Sequence, residues 1–151
     1  MTTDLLLGAT ALTTGLVAGL FAAFAYAVMP GLRRVDDVAF VQTMRGVNVA
    51  IINPVFGLLF GGSLVLGIAS TVVVRGEDAF AWAVAGLVGY VLTLVVTIAR
   101  NVPLNEALEN GTDASPRLRE AFERPWTRWN LVRTATNVAS TACWLVALAL
   151  A

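Results

Sequence analysis

Amide, guanidinium and indole side chains are concentrated at one end of the apolar segments of this chain. Asparagine and glutamine each offer N–H donors and an acceptor oxygen, and arginine adds a permanent charge with five donors. Because such groups are costly when they face hydrocarbon, we expect them to point into a polar pocket inside the protein. The candidate ligand-binding residues are Gln42, Asn48, Asn53, Asn101, Asn105, Trp126, Trp129, Asn130 and Arg133.

Helical spacing brings part of this set to one face. Residues at successive spacings of four, three and four positions lie on one face of a helix. This spacing joins Trp126, Asn130, Arg133 and Asn137. No acid in the apolar segments can neutralise Arg133. We therefore expect Asn101, Asn105, Asn130 and Arg133 to meet in three dimensions and to bind an oxygen-bearing ligand. Flat apolar walls can come from Tyr26, Met29, Met44 and Phe56.

A competing interpretation needs no pocket. Asparagines often hydrogen-bond neighbouring helices inside membranes, and arginine and tryptophan are ordinary anchors at the membrane boundary. This interpretation suits each residue taken singly. The concentration of all of them at one end favours the pocket.

Several kinds of chemistry are excluded by composition. The 151 residues contain no histidine, which is the commonest ligand of zinc and haem iron and an essential member of Ser-His-Asp systems. Cys143 is the single cysteine, so no internal disulfide can form. Ten basic and ten acidic residues leave no net charge, which argues against nucleic acid as a partner. We predict no metal site and no cofactor.

The elements that carry these residues are predicted to be membrane-spanning helices. Apolar residues make up 58% of the chain and charged residues 13%, and four long runs carry almost no charge. The predicted spans are residues 5–32, 47–74, 79–99 and 131–151, each close to the roughly 20 residues that cross a bilayer. We therefore predict one transmembrane domain over residues 1–151, an all-α antiparallel four-helix bundle whose main partner is the lipid bilayer.

The third loop has helical character of its own. Ser115 and Pro116 are typical of a helix N-terminus, and residues 117–124 carry opposite charges four positions apart. This segment is either a short interfacial helix, which we include in the predicted fold, or an extension of the fourth span kinked at Pro125.

Charges in the loops predict the orientation. The first and third loops hold nine arginines, whereas the second loop holds Arg75. Because positively charged loops stay in the cytoplasm, we expect a multi-pass protein of the cell membrane with both termini outside the cytoplasm. Two GxxxG pairs, Gly15/Gly19 and Gly57/Gly61, allow close helix packing. We favour packing within the chain, and a homo-oligomer through these faces is the alternative.

Four motifs together resemble one known family. They are Ala27-Val28-Met29-Pro30, Asn53-Pro54-x-Phe56, Asn101-Val102-Pro103-Leu104-Asn105-x-x-Leu108 and Trp126-x-x-Trp129-Asn130-x-x-Arg133. This pattern resembles the DUF1772, or anthrone oxygenase-like, family of small four-span membrane proteins. Some fungal members oxidise anthrones to anthraquinones without a cofactor, and most bacterial members have no assigned activity. The resemblance thus implies a cofactor-independent oxygenase acting on an anthrone-like or other phenolic aromatic molecule.

Two functions of different classes stay open. The first is the oxygenase, for which the catalytic residues are unassigned because no buried base is evident; Glu106 is the nearest candidate, although a solvated loop acid is the simpler interpretation. The second is a non-enzymatic protein that binds a small molecule or lipid, or an accessory subunit of a membrane assembly. A proton-coupled transporter ranks lowest, because the first span contains no acid.

Overall fold

The computed structural model describes residues 2–112 and 116–151, and within them it contains helices and no strands. We number the helices in chain order. They are α1 (Thr2–Leu32), α2 (Asp37–Ala50), α3 (Pro54–Val73), α4 (Phe80–Glu109) and α5 (Pro116–Leu150). Four of them, α1, α3, α4 and α5, are long and apolar enough to span a membrane. The predicted all-α four-helix bundle is therefore confirmed.

The helices form an antiparallel bundle with α5 at its centre. Helix α5 packs along both α1 and α4, and α3 packs against α1 and more weakly against α4. One apolar cluster joins Leu7, Val74 and Trp144, and a second joins Met29, Phe40 and Trp126 at the opposite end. The first and third connections thus lie together at one end of the bundle. These connections and the adjoining helix ends hold nine of the ten arginines, and we call this end the arginine-rich end.

The second apolar run is not a single helix, which corrects the predicted span 47–74. Helix α2 ends at Ala50 and α3 begins at Pro54. The Asn53 side chain accepts a hydrogen bond from the Phe56 backbone N–H at 3.0 Å and donates one to the Ala50 carbonyl at 2.8 Å. An asparagine cap followed by proline at the first helical position starts a new helix. The spanning helix is therefore α3, and residues 47–50 belong to α2.

The third loop contains no separate interfacial helix in its described part. Residues 116–150 form one helix with Pro125 inside it, so the segment 117–124 is the extension of the fourth span, and Ser115 lies outside the described residues. Arg119 fixes this extension against α2. Its guanidinium contacts Glu123 at 2.8 Å and Asp37 at 3.0 Å, which joins α5 to the start of α2. The short helix outside the four spans is α2, in the first connection.

Arg45 ties the other end of α2 to α4. Its guanidinium donates to the Leu108 carbonyl at 3.0 and 2.9 Å and to the Gly111 carbonyl at 2.7 Å. The last carbonyls of a helix have no partner within the helix, and an arginine can satisfy them. The three segments at the arginine-rich end are thus fixed relative to one another by two arginines.

Two spanning helices contain a π-helical turn at the arginine-rich end. These turns are Phe24–Val28 in α1 and Thr97–Asn101 in α4. Each ends two residues before a proline, Pro30 or Pro103, which has no N–H to donate to the preceding turn. π-Helical turns are rare in proteins, and those that occur are often found at functional sites. Both of these turns lie beside the pocket described below.

The close helix contacts do not occur at the two GxxxG pairs. A Cβ atom added to Gly86 would lie 2.8 Å from Cε2 of the Trp144 ring, and one added to Gly67 would lie 3.2 Å from its Cζ2 atom. These two glycines make room for the buried indole. In contrast, a Cβ at Gly15 would meet Thr141 at 3.5 Å, and one at Gly57 or Gly61 would meet no described atom within 4 Å. A homo-oligomer face on α3 stays a prediction.

Candidate ligand pocket

A cavity of about 620 Å³ opens at the arginine-rich end between α1, α2, the start of α3, α4 and α5. Its apolar walls include Leu20, Phe21, Phe24, Val47, Ile51 and Phe56. Its polar lining includes Asn48, Thr97, Asn105, Trp126, Asn130 and Arg133, with Glu106 and Glu109 also bordering it. We call this cavity the pocket. Its volume falls in the range of sites for small organic ligands.

Arg133 is the buried charge of the pocket and is 6% exposed. Its Nη2 atom donates to Asn130 Oδ1 at 2.8 Å, whereas its Nε has no hydrogen-bond partner among the described residues. The guanidinium carbon lies 4.2 Å from the ring centre of Phe21 and 5.4 Å from that of Trp126. Within the described chain no salt bridge involves Arg133. Two aromatic faces stabilise the cation, but no described carboxylate neutralises it.

Asn130 fixes the orientation of this arginine. The Asn130 side chain is completely buried, and its Nδ2 donates to the Phe21 carbonyl at 3.0 Å. The amide oxygen is therefore left to face Arg133. This pair of contacts links α1 and α5 and holds the guanidinium at the pocket.

The asparagines of α4 join the same network through Trp126. The indole N–H donates to Asn105 Oδ1 at 2.8 Å, and Asn101 Nδ2 donates to the Trp126 carbonyl at 3.4 Å. Asn105 lines the pocket, while Asn101 is buried outside its lining. The structure thus brings Asn101 and Asn105 to the stripe of α5 that carries Arg133.

The other predicted site residues have different positions. Asn48 lines the pocket, and its Nδ2 is buried without a partner in the described residues. Gln42 is exposed on α2, and Asn53 caps α3 as described. Trp129 packs under Arg100, whose guanidinium carbon lies 4.9 Å from the ring centre. Gln42, Asn53 and Trp129 do not border the pocket, and a binding role for them stays a prediction.

The apolar walls also differ from those suggested by sequence. Phe56 lines the pocket. Tyr26 is 75% exposed on the outside of α1, and Met29 and Met44 are buried in the apolar cluster around Phe40. These three residues stabilise or surround the arginine-rich end without bordering the pocket.

Sequence reasoning missed Phe21. Its carbonyl orients Asn130 and its ring covers Arg133, yet in the sequence it is one of many apolar residues of the first run. Glu109 was also missed. It borders the pocket together with Glu106, three residues before it on α4, and both side chains are exposed. Residues three apart lie on one helix face, which is the signal that could have paired them.

The arrangement has a clear chemical character. Flat apolar walls surround a buried cation, and Arg133 and Asn48, which line the same space, each have a buried N–H group without a partner among the described residues. Donors without partners in an apolar site favour a ligand with acceptor atoms, above all an anionic oxygen. The pocket is therefore suited to a flat apolar molecule with a phenolate, enolate or carbonyl oxygen.

Comparison with known proteins supplies the family. No curated protein and no solved structure matches the chain. The sequence model of the family described as "Anthrone oxygenase" matches residues 44–143, about two thirds of the chain. The matched range includes all the polar residues that line the pocket and excludes the whole of α1. The chain therefore belongs to the anthrone oxygenase family.

Proposed function

We propose that this membrane protein is a cofactor-independent oxygenase that oxidises an anthrone-like or other phenolic aromatic substrate with dioxygen. The observation that carries the proposal is Arg133, a buried cation that borders an apolar pocket without a carboxylate partner in the described chain. A cation in that setting stabilises a substrate anion strongly, because the surroundings have a low dielectric constant. Membership of the family supports the choice of substrate class.

The chemistry balances with dioxygen as co-substrate. An anthrone is a tricyclic ketone with a methylene group opposite the carbonyl, and removal of one methylene proton gives an anion with its charge on the ketone oxygen. The anion passes one electron to dioxygen, and the two radicals combine to form a carbon–oxygen bond and a peroxide anion. After protonation of the peroxide, loss of the second methylene proton expels hydroxide and leaves a carbonyl. One anthrone and one dioxygen give one quinone and one water.

The residues of the pocket have separate roles in this reaction. Arg133 stabilises the negative charge on the ketone oxygen, with Asn130 holding the guanidinium in place. The aromatic walls orient the rings, which lowers the entropy cost of the reaction. We assign proton removal to Glu106, which borders the pocket next to Asn105. In the same proposal the arginine-rich end lies in the cytoplasm, as the excess of arginines in these loops favours.

The test is dioxygen consumption by the protein in liposomes. With a simple anthrone we expect dioxygen uptake and quinone formation in equal amounts, above the autoxidation measured with empty liposomes. Glu106→Gln should lower turnover by about 100-fold or more, which is the usual contribution of a general base. Glu109→Gln is the matched control, since Glu109 borders the same pocket and should keep turnover near that of the parent.

The contrary outcome has a definite meaning. If the protein adds nothing to autoxidation but still binds a hydroxylated anthraquinone, the oxygenase is refuted. The non-enzymatic binding protein or accessory subunit then becomes the better account. The exposure of both acids at the pocket is the observation that favours this second candidate.

A further inference from the structure

The polar face of α5 continues past the pocket into the middle of the bundle. Asn137 follows Arg133 by one helical turn, and Ser140 and Trp144 follow on the same face. Asn137 and Trp144 are 0% exposed and Ser140 is 1% exposed. A buried asparagine amide requires hydrogen-bond partners, which an apolar core without water does not supply.

Asn137 has no hydrogen-bond partner in the described residues for either its amide nitrogen or its amide oxygen. Ser140 and Arg133 on the same face each make at least one side-chain hydrogen bond, whereas Trp144 Nε1 also has no partner among the described residues. Ser140 donates to the Gly86 carbonyl at 2.6 Å, and Arg133 Nη2 is bonded to Asn130. Buried polar groups in folded proteins are nearly always bonded to protein or to ordered water. The Asn137 amide is therefore the group that most requires an additional molecule.

The core of the bundle contains further buried polar groups on α1 and α3. Thr14 on α1 and Ser63 on α3 are buried, and each hydroxyl donates to a carbonyl of its own helix at 2.6 Å. Each of these oxygens still has lone pairs to accept a hydrogen bond. Thr10 and Ser70 contact each other at 2.8 Å across α1 and α3. The interior of the bundle is thus polar along much of its length.

We infer that Asn137 binds internal water, and that this water also serves the unpartnered Nε–H of Arg133. Residues four apart on a helix are separated by about 6 Å along its axis, which two hydrogen bonds through one water can span. Buried waters typically make about three hydrogen bonds to groups that otherwise have none. The polar end of the pocket therefore extends one helical turn deeper than its side-chain lining, whatever ligand the pocket takes.

This water also has a chemical consequence. Among the described residues, no acid is buried beside Arg133, so the inner end of the pocket lacks a side chain that exchanges protons readily. A water molecule held between Arg133 and Asn137 donates and accepts hydrogen bonds at once. It can therefore adjust to an anionic or a neutral ligand oxygen without movement of the helices.

The experiment is magnetic resonance transfer from water to labelled protein in lipid bilayers. The protein carries ¹⁵N in the asparagine side chains and the alanine backbone, and the Asn137 signal is assigned in the parent by correlation with its own backbone or by its loss in Asn137→Leu. We expect the Asn137 amide to receive magnetisation from water nearly as fast as the exposed Asn53 amide. The backbone N–H of Ala147, which is 0% exposed in an apolar cluster, serves as the dry reference.

The result that would overturn the inference is equally direct. If the Asn137 amide receives magnetisation as slowly as the Ala147 backbone, no water is bound there. The measurement uses no substrate, so it can fail while the proposed oxygenase activity stands, and the reverse is also true.

Discussion

Replacing Arg133 by lysine tests the pocket at its buried charge. Lysine keeps the positive charge but loses the planar group with five donors. In the parent the guanidinium carbon lies 4.2 Å from the Phe21 ring centre, and Nη2 donates to Asn130 Oδ1 at 2.8 Å. A compact ammonium group cannot keep both contacts and also reach a ligand oxygen. We therefore expect Arg133→Lys to weaken ligand binding while leaving the protein folded.

The size of the effect follows from the number of hydrogen bonds lost. A hydrogen bond to a charged group contributes about 1.5–3 kcal/mol. Loss of one such bond between the guanidinium and a ligand oxygen should raise the Kd by about 10- to 150-fold. The charge itself is unchanged, since lysine is also cationic. The expected change is therefore large enough to measure and is due to geometry.

The assay is binding of a hydroxylated anthraquinone, ionised at its phenol group, to the protein in lipid nanodiscs. Empty nanodiscs correct for partition of this probe into lipid, and size-exclusion chromatography measures the folded fraction. Arg100→Lys is the matched control, because Arg100 also packs on a tryptophan at the same end, at 4.9 Å, but does not border the pocket. We expect this control to bind the probe like the parent.

Two results would refute the reasoning. If Arg133→Lys binds the probe like the parent, Arg133 is an anchor at the membrane boundary, where lysine serves equally well. If Arg133→Lys and the neutral variant Arg133→Gln both abolish folding, the residue has a structural role and the charge is not held in place for a ligand.

The remaining predictions concern orientation and packing. Reporter domains fused after Arg75 and after Asn110 should report opposite sides of the membrane, with the second in the cytoplasm; the same side for both would exclude the four-span topology. Gly86→Ala should destabilise the protein by about 1–3 kcal/mol in thermal unfolding, because its Cβ would lie 2.8 Å from the Trp144 ring. Gly61→Ala is its control and should unfold like the parent, since that Cβ meets no described atom within 4 Å; equal stability of the two variants would contradict the packing described.

Local patterns in the sequence were sufficient for the number of long apolar helices and for the polar stripe of α5, but not for the start of the second span. Runs without charge identify spanning helices because a charged side chain in hydrocarbon is costly. The spacing of Asn130, Arg133 and Asn137 predicts a shared face because helix geometry is the same in every protein. The structure has all three of these side chains buried on one face of α5. These features depend on neighbours in sequence, so the sequence alone determined them.

The roles of single polar residues depended on the environment that each residue meets. Asn53 and Asn48 are similar in sequence context, five residues apart near the start of the second apolar run. One caps α3 and is exposed, while the other borders the pocket. The sequence contained the signal for the cap, since Pro54 follows Asn53, but the continuous apolar run concealed the break between α2 and α3.

Only the tertiary structure determined which residues come together around the pocket. Asn130 bonds to the carbonyl of Phe21, which lies 109 residues away in sequence, and Arg45 bonds to that of Leu108, 63 residues away. Such contacts depend on the rotation of each helix about its axis and on its shift along its neighbours. Many apolar faces pack almost equally well, so the pattern of a single helix does not specify these two quantities. They are determined when all the helices pack together, because buried donors such as those of Asn130 must then find their acceptors.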